Sequence, residues 1–403
     1  MKKIEGGVCA PEGFKANGVH CGIRKNKTKR DLSLIVSDVR CAAACVYTQN
    51  LVKGAPIAVT KRHVADGYAQ AIVCNSGNAN TCNANGEEIA EGMCKLVSER
   101  TGIPAEDVVV TSTGVIGQPL SLDPIAAGMD ELVKGLGDNS LFAAQGIMTT
   151  DTVDKQIAYT FTLGGKECRI GAIGKGVGMI NPNMATMLIF ITTDVFISPA
   201  MLQKALSADV KDSFNMVSVD GDTSTNDMVC VLANGQAGNA CIEENGKDFV
   251  TFRKALNKVT TNLCRRIAKD GEGATKLLEC KVVGAKSKNA AKLIAKSVIK
   301  SSLFKAAMFG ADANWGRVLC AIGYAGADAD ITKIDVDFKS KAGTLAVCRG
   351  GSGIPFSEEE AKEILSCDEI EILINMNDRG GRATAWGCDL TYDYVKINGD
   401  YRT

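Results

Sequence analysis

Histidine is scarce in this sequence: the 403 residues include only His20 and His63. A Ser-His-Asp or Cys-His catalytic arrangement would have to use one of these two, and neither stands in a recognisable catalytic context. Neither has ligand spacing with a pair of cysteines, which disfavours a zinc site. We therefore expect no metal, and a base other than histidine for any acyl chemistry.

Long apolar runs and blocks of one charge are also missing. No run approaches the ~18 apolar residues that a membrane helix needs. The 46 basic residues balance the 46 acidic ones, and the lysines at the start are not followed by the apolar core of a signal peptide. We expect a cytoplasmic protein with no membrane partner and no nucleic-acid partner.

Cysteine, by contrast, is abundant, with sixteen residues scattered from Cys9 to Cys388. No Cys-x-x-Cys pair occurs, and a chain of this length without a secretion signal is not expected to form a disulfide framework. The pattern predicts that most of these cysteines are small buried apolar residues.

Strand and helix patterns are mixed in both halves of the chain, which predicts an α+β fold with helices covering sheets. Ser198-Pro199 and a Ser357 capping box mark two helix starts. Helical spacing covers residues 87–99 and 249–267. The predicted strands are 69–74, 107–111, 187–191, 331–338, 370–374 and 390–397.

The most informative segment is 174–194. A glycine-rich loop that carries Lys175 runs into Ala185 and Thr186, and a fully apolar stretch follows. The loop lacks the spacing of a phosphate-binding Walker motif. A threonine at the start of a strand is ordinary by itself, but one between a flexible loop and a rigid strand is well placed as a nucleophile. An N-terminal Thr can use its own α-amine, with a reference pKa near ~7.7–8.0, as the base.

This segment resembles the bifunctional ornithine acetyltransferase / N-acetylglutamate synthase family, and the resemblance covers nearly the whole chain. The other matching motifs are 111–117, 148–152, 219–227, 270–276, 314–317 and 383–395. The resemblance implies that the chain cleaves itself between Ala185 and Thr186, and that the freed Thr186 carries the acetyl group.

The resemblance also implies a layered α/β/β/α sandwich and two intertwined chains, an alpha chain of residues 1–185 and a beta chain of residues 186–403. Two copies of each would form a heterotetramer. It implies an oxyanion hole at Thr113 and Gly114, where a hydroxyl and a backbone N–H would face a developing negative charge. The implied substrate-binding residues are Thr149, Lys175, Thr186, Glu272, Asn398 and Thr403. Thr150 and Thr152 remain alternatives to Thr149.

The predicted activity is acetyl transfer from N2-acetyl-L-ornithine to L-glutamate through acetyl-Thr186, in arginine biosynthesis. This cycle needs no cofactor; acetyl-CoA would be a second donor only if the protein also makes N-acetylglutamate outright, which no residue decides. One alternative is an N-terminal-nucleophile aminopeptidase or amidohydrolase of related fold. Another is a non-catalytic amino-acid-binding protein that never cleaves.

Overall fold

The computed structural model describes residues 1–181 and 187–399. Sixteen strands and eleven α-helices occur in these ranges. The strands are β1 (Lys2–Ile4), β2 (Phe14–Val19), β3 (Leu32–Tyr47), β4 (Tyr68–Asn78), β5 (Val108–Val115), β6 (Lys155–Leu163), β7 (Lys166–Lys175), β8 (Leu188–Thr193), β9 (Val217–Ser218), β10 (Met228–Ala233), β11 (Leu277–Ala285), β12 (Asp335–Ser340), β13 (Gly343–Arg349), β14 (Ser352–Gly353), β15 (Glu369–Asn375) and β16 (Gly381–Cys388). The helices are α1 (Ala55–His63), α2 (Gly86–Thr101), α3 (Asp123–Lys134), α4 (Ser140–Ile147), α5 (Pro199–Asp209), α6 (Lys247–Lys269), α7 (Lys288–Lys300), α8 (Ser302–Phe309), α9 (Trp315–Gly323), α10 (Glu358–Leu365) and α11 (Tyr392–Asn398).

The first sheet has nine strands in the order β1-β6-β7-β8-β10-β3-β4-β5, with β2 also paired to β3. Strands from both sides of position 186 share this sheet. β8 lies between β7, to which it is antiparallel, and β10, to which it is parallel. The segments before and after residue 186 are therefore neighbours in one sheet.

β3 divides this sheet into two arms. Its register with β4 shifts between Val36 and Cys41, and such a shift bends a strand. The first half of β3 pairs with β2, whereas the second half pairs with β10. Side chains from both arms meet in one apolar core that includes Ile72, Cys74, Ile173, Phe190 and Cys230.

Helices cover the outer surface of each arm. Met93 of α2 and Met129 of α3 share a core with Val73 and Val110 of the β4–β5 arm. Residues of α5 and α6, such as Leu202 and Leu263, pack with Ile189 and Val229 of the other arm. This order of layers is α/β/β/α, and the predicted α+β layered class is confirmed.

The second sheet has seven strands in the order β14-β13-β12-β15-β11-β16-β9. Its apolar side chains join those of α5–α7 in the largest core of the protein. Arg265 of α6 forms an ion pair with Glu369 of β15 at 2.9 Å. α6 thus connects the layered sandwich with the second sheet, and its carboxyl end leads toward the site described below.

Several predicted elements agree with the structure. α2 covers the predicted helix at 87–99, and α6 covers the one at 249–267. The Ser198 side chain accepts from the backbone N–H of Met201, and the Ser357 side chain accepts from that of Glu360.

Two of the predicted strands differ in the structure. Most of the strand predicted at 390–397 lies in helix α11, which begins at Tyr392 because Thr391 caps it by accepting from the Tyr394 N–H. The β-branched and aromatic residues that suggested a strand are largely exposed there and pair with no sheet. The strand predicted at 331–338 begins only at Asp335, because Asp330 caps a short 3₁₀ turn over residues 331–333.

Most of the cysteines are buried, and none is in a disulfide. Burial raises the pKa of the Cys74 thiol to about 12, so this thiol is protonated at neutral pH. None of the helices in the described ranges is long and apolar enough to cross a membrane.

Candidate active site

One cavity of about 130 Å³ gathers every described residue that the sequence predicted for the site. These residues are Thr113, Gly114, Thr149, Lys175, Glu272 and Asn398, and the lining also includes Thr150, Gly178, Thr225 and Asn226. They come from positions nearly 300 residues apart in the chain. The remaining predicted residues, Ala185, Thr186 and Thr403, lie outside the described residues.

The Thr113–Gly114 corner depends on a close approach of two backbones. β4 and β5 are parallel, and their register shifts near Gly77 and Gly114. Gly114 has φ +132°, and a Cβ there would lie 2.3 Å from the carbonyl carbon of Gly77. Only glycine fits this position without displacing the neighbouring strand. The corner holds the Thr113 hydroxyl at the cavity, where Lys175 Nζ donates to it at 3.4 Å.

Buried charges alternate behind the cavity. Lys155 Nζ lies 2.8 Å from Asp151 Oδ1 and 2.5 Å from Asp270 Oδ2. Asp151 also accepts from the backbone N–H of Gly176 at 2.9 Å and of Thr149 at 3.0 Å. This carboxylate therefore joins the segment that carries Thr149 to the loop that follows Lys175.

Burial and the neighbouring charges shift the pKa values of Asp151 and Lys175. Burial by itself would raise the pKa of Asp151, but Lys155 and Lys175 lower it to about 2. Burial lowers the pKa of Lys175, and the positive charges of Lys155 and Arg24 act in the same direction, while Asp151 and Asp227 oppose them. An anionic group bound beside Lys175 would favour its charged form.

Glu272 faces the cavity from the turn after α6. Its backbone N–H donates to the Val177 carbonyl at 2.8 Å. One carboxylate oxygen accepts from the Thr150 hydroxyl at 2.7 Å, and the other accepts from the Asn398 side chain at 2.8 Å. Glu272 and Lys175 both line the cavity, so the lining contains one group that can bind a cation and one that can bind an anion.

The three candidate threonines of 149–152 have different surroundings. Thr149 and Thr150 both line the cavity, but the Thr150 hydroxyl is engaged by Glu272. The Thr152 hydroxyl donates to Asp270 instead. Thr149 is therefore the cavity-lining threonine whose hydroxyl has no side-chain partner within the described part of the chain.

The two chain segments that flank residues 182–186 are both held in place. Asp220 accepts from the Met179 N–H at 2.5 Å and from the Ile180 N–H at 2.8 Å. On the other side, the Met187 carbonyl accepts from the Met228 N–H at 2.9 Å. Asp220 belongs to the 219–227 motif, so this motif anchors the loop before the predicted cleavage position.

Both histidines are engaged elsewhere. His20 Nδ1 lies 2.9 Å from the Lys29 carbonyl oxygen, and His63 Nδ1 lies 2.8 Å from that of Val108. His63 Nε2 is 3.3 Å from Glu91. Neither lines the cavity.

Comparisons with known proteins identify the same family over nearly the whole chain. The model of the ArgJ family matches residues 15–403. The chain belongs to the ArgJ family. It is similar to arginine biosynthesis bifunctional protein ArgJ 1 of Clostridium acetobutylicum, with 50% identity over 392 residues that cover 97% of this chain and 96% of the relative. It is also similar to the ArgJ protein of Bacillus subtilis, with 46% identity over 403 residues that cover 100% of this chain and 98% of the relative.

This chain is also similar to a solved structure. The crystal structure of the arginine biosynthesis bifunctional protein of Bacillus halodurans has 45% identity and a TM-score of 0.50, and the match covers 52% of this chain and 97% of that chain. The solved chain is therefore about half as long as this one. The predicted family is confirmed by these comparisons.

Two other family motifs each contain an asparagine that binds nearby backbone groups. The Asn226 side chain donates to the carbonyls of Ala79 and Ser112 at 2.6 and 2.9 Å, which ties the 219–227 motif to the loop after β4 and to β5. Asn314 caps α9 by accepting from the Arg317 N–H at 3.2 Å. Both asparagines shape the backbone around them, the first beside the cavity and the second away from it.

Sequence reasoning assigned no role to Asp151, Lys155 or Asp270. Asp151 and Asp270 lie in the family motifs 148–152 and 270–276, each two residues from a predicted site residue, Thr149 or Glu272. That proximity could have indicated a role for them. Lys155 lies in β6 outside any motif, and only the fold brings it between the two carboxylates.

Replacing Lys155 by methionine should destabilise the protein strongly. Lys155→Met would leave two buried carboxylates without their cation, so we expect the free energy of unfolding to fall by about 3–5 kcal/mol. Denaturant unfolding measures this change. The control is Lys15→Met, which removes an exposed pair with Asp38 and should cost less than about 1 kcal/mol. Equal losses in the two variants would contradict the role assigned to the buried network.

Proposed function

We propose that this chain is a glutamate N-acetyltransferase that transfers acetyl from N2-acetyl-L-ornithine to L-glutamate in arginine biosynthesis. Membership of the ArgJ family makes it an acetyltransferase, and the relatives are named for arginine biosynthesis. The observation that carries the choice of substrate is the cavity, in which Lys175, the Thr113–Gly114 corner and Glu272 face one small space.

The lining matches the charges of the proposed substrates. Ornithine and glutamate each carry an α-carboxylate, which a lysine ammonium can bind, and N-acetylornithine also carries a side-chain ammonium, which a carboxylate can bind. Lys175 supplies the cation, and Glu272 supplies the carboxylate. Thr149 and Asn398 add neutral hydrogen-bonding groups, and we assign Thr403 to the same set from its motif.

Thr186 is the proposed nucleophile. Its Oγ attacks the acetyl carbonyl of N-acetylornithine, the Oγ proton passes to its own α-amine, and that proton leaves with the amine of ornithine as the C–N bond breaks. The acetyl ester on Thr186 then reacts with the amine of glutamate, which restores the hydroxyl. Splitting the transfer into two steps is ordinary covalent catalysis.

The oxyanion would be stabilised at the Thr113–Gly114 corner. The Thr113 hydroxyl accepts a hydrogen bond from Lys175, so its own proton is free to point toward the substrate oxygen. A donor that is itself hydrogen-bonded to a cation is a stronger donor. The acetyl group also needs little room, in keeping with a cavity of about 130 Å³.

We further propose that the chain cleaves itself between Ala185 and Thr186 into residues 1–185 and 186–403. The half-length solved chain of the Bacillus halodurans relative supports this, as does the shared sheet, in which β7 and β8 would hold the two products together. We keep as proposals a heterotetramer of two copies of each chain, a cytoplasmic location, and a cycle without cofactor in which acetyl-CoA is a possible additional donor.

The aminopeptidase alternative uses the same nucleophile but gives the acyl group to water. Lys175 and Glu272 favour a transferase. They can bind the charged groups of an amino acid, and in a transferase a second amino acid must bind after the first has left. The non-catalytic alternative requires an intact chain.

The activity itself is tested by incubating the purified protein with N-acetylornithine and glutamate. We expect equal amounts of free ornithine and N-acetylglutamate, measured by mass spectrometry over time. Release of ornithine and acetate without N-acetylglutamate would instead identify a hydrolase. A parallel reaction with acetyl-CoA and glutamate alone decides whether acetyl-CoA is a donor.

Cleavage should give two pieces of about 19 and about 23 kDa, by residue count. Mass analysis under denaturing conditions should place the new N-terminus at Thr186 and find Thr186→Ala uncut, because its side chain has no hydroxyl to attack the Ala185 carbonyl. An intact, fully active wild-type chain would contradict the proposal.

Removing the Thr113 hydroxyl should slow turnover without weakening binding. We expect Thr113→Ala to lower kcat by roughly 10²-fold or more with a similar KM, because an oxyanion donor acts mainly in the transition state. Thr113→Ser keeps the hydroxyl and serves as the matched control, with kcat within about tenfold of wild type. A rise in KM alone would make Thr113 a binding residue.

A further inference from the structure

Self-cleavage needs a proton acceptor that the transfer cycle does not supply. During transfer the freed α-amine of Thr186 serves as the base, but in the uncut chain that nitrogen belongs to the peptide bond with Ala185. An amide nitrogen is not a base at neutral pH, and both histidines are engaged away from the cavity. The cleavage step therefore requires another group near position 186.

Asp227 lies beside Met187, the residue that follows Thr186 in the chain. The parallel register of β8 and β10 sets Met228 beside Leu188, and the Met228 N–H donates to the Met187 carbonyl at 2.9 Å. Asp227, one residue before Met228, is thus level with Met187, the residue bonded to Thr186. The neighbouring Thr225 and Asn226 line the cavity, so the chain reaches Asp227 directly from the cavity wall.

The other carboxylates around the site already have partners. Asp151 and Asp270 bind Lys155. Glu272 accepts from Thr150 and Asn398, and both oxygens of Asp220 accept from the loop at 179–180. In contrast, Asp227 is 4% exposed, and its Oδ2 has no hydrogen-bond partner among residues 1–181 and 187–399.

A buried carboxylate oxygen without a partner is costly and calls for an explanation. Burial raises the pKa of Asp227 well above its ordinary value, and the Ser224 side chain and the Lys175 charge oppose this rise. The oxygen without a partner is the feature that bears on the chemistry, because a general base must have an oxygen available to accept the proton.

We propose that Asp227 is the general base of self-cleavage, accepting the proton of the Thr186 hydroxyl. The Thr186 oxygen then forms a bond to the Ala185 carbonyl carbon, the Ala185–Thr186 C–N bond breaks, and the proton passes from Asp227 to the nitrogen. Water hydrolyses the resulting ester, which leaves an Ala185 carboxylate and a free Thr186 hydroxyl. This inference rests on the proposed function, since it assumes the Ala185–Thr186 cut.

The test follows cleavage of the full chain after cell-free synthesis, by denaturing mass analysis over time. Asp227→Asn keeps the size of the side chain but removes the base, and we expect cleavage at least about 10²-fold slower than in wild type. Asp227→Glu retains a carboxylate and should cleave within about tenfold of wild type. The control Asp222→Asn removes an exposed charge from the same motif and should cleave at the wild-type rate.

The outcomes separate the possible explanations. Slow cleavage in Asp227→Asn, with rescue in Asp227→Glu and melting temperatures near wild type, supports the proposal. Wild-type cleavage in Asp227→Asn would overturn it. An equal loss of cleavage rate in Asp227→Asn and Asp227→Glu would also overturn it. The side chain would then be needed for its size and packing and not for proton transfer. A wild-type chain that stays intact would overturn the proposed cleavage itself, and the base with it.

Discussion

The position of β8 between β7 and β10 is the constraint on which the rest of the site depends. β8 is buried along its whole length, and a buried strand must have its backbone groups paired on both sides. The pairing with β7 fixes Leu188 beside Lys175, and the pairing with β10 fixes Leu188 beside Met228. Lys175, Asp227 and the chain that leaves Thr186 are therefore held close together by main-chain hydrogen bonds, without relying on side-chain contacts.

The same arrangement explains how a cut in this chain would leave the fold intact. The sheet takes strands from both sides of position 186, and one apolar core collects side chains from both, among them Ile173 and Phe190. Separating two such pieces would expose that core to water. The hydrophobic effect would therefore keep the two pieces together even though the covalent bond is lost, and the strand after the cut would keep its place at the cavity.

Buried charge is the second organising feature. Lys155 sits between Asp151 and Asp270, and Asp151 also binds two backbone N–H groups. These carboxylates are fully occupied, which keeps them from competing for protons or substrate. Lys175 and Asp227 differ, because Lys175 donates to the Thr113 hydroxyl and to no carboxylate among the described residues, and Asp227 Oδ2 has no hydrogen-bond partner there. The division between occupied and available charges separates the residues that build the site from those that we propose to act in it.

The sequence by itself determined the family and the α+β class, and it named the candidate residues of the site. Thr113, Gly114, Lys175 and Glu272 could be named because each stands in a short local motif. The α2 and α6 helices could be named because their apolar residues repeat with helical spacing. These are local properties, which a linear pattern records.

Only the tertiary structure decided which charges pair. Lys155 has no motif, and it meets Asp270 because β6 and the end of α6 come together from 115 residues apart. The sequence likewise does not show that Asp227 Oδ2 has no partner in the described part of the chain, because that depends on which groups the fold brings near it. The strand predicted at 390–397 is largely a helix because Thr391 caps it by accepting from the Tyr394 N–H, although the β-branched and aromatic residues there suit a strand. Pairing between distant segments is set by packing of the whole chain, and a local pattern does not contain it.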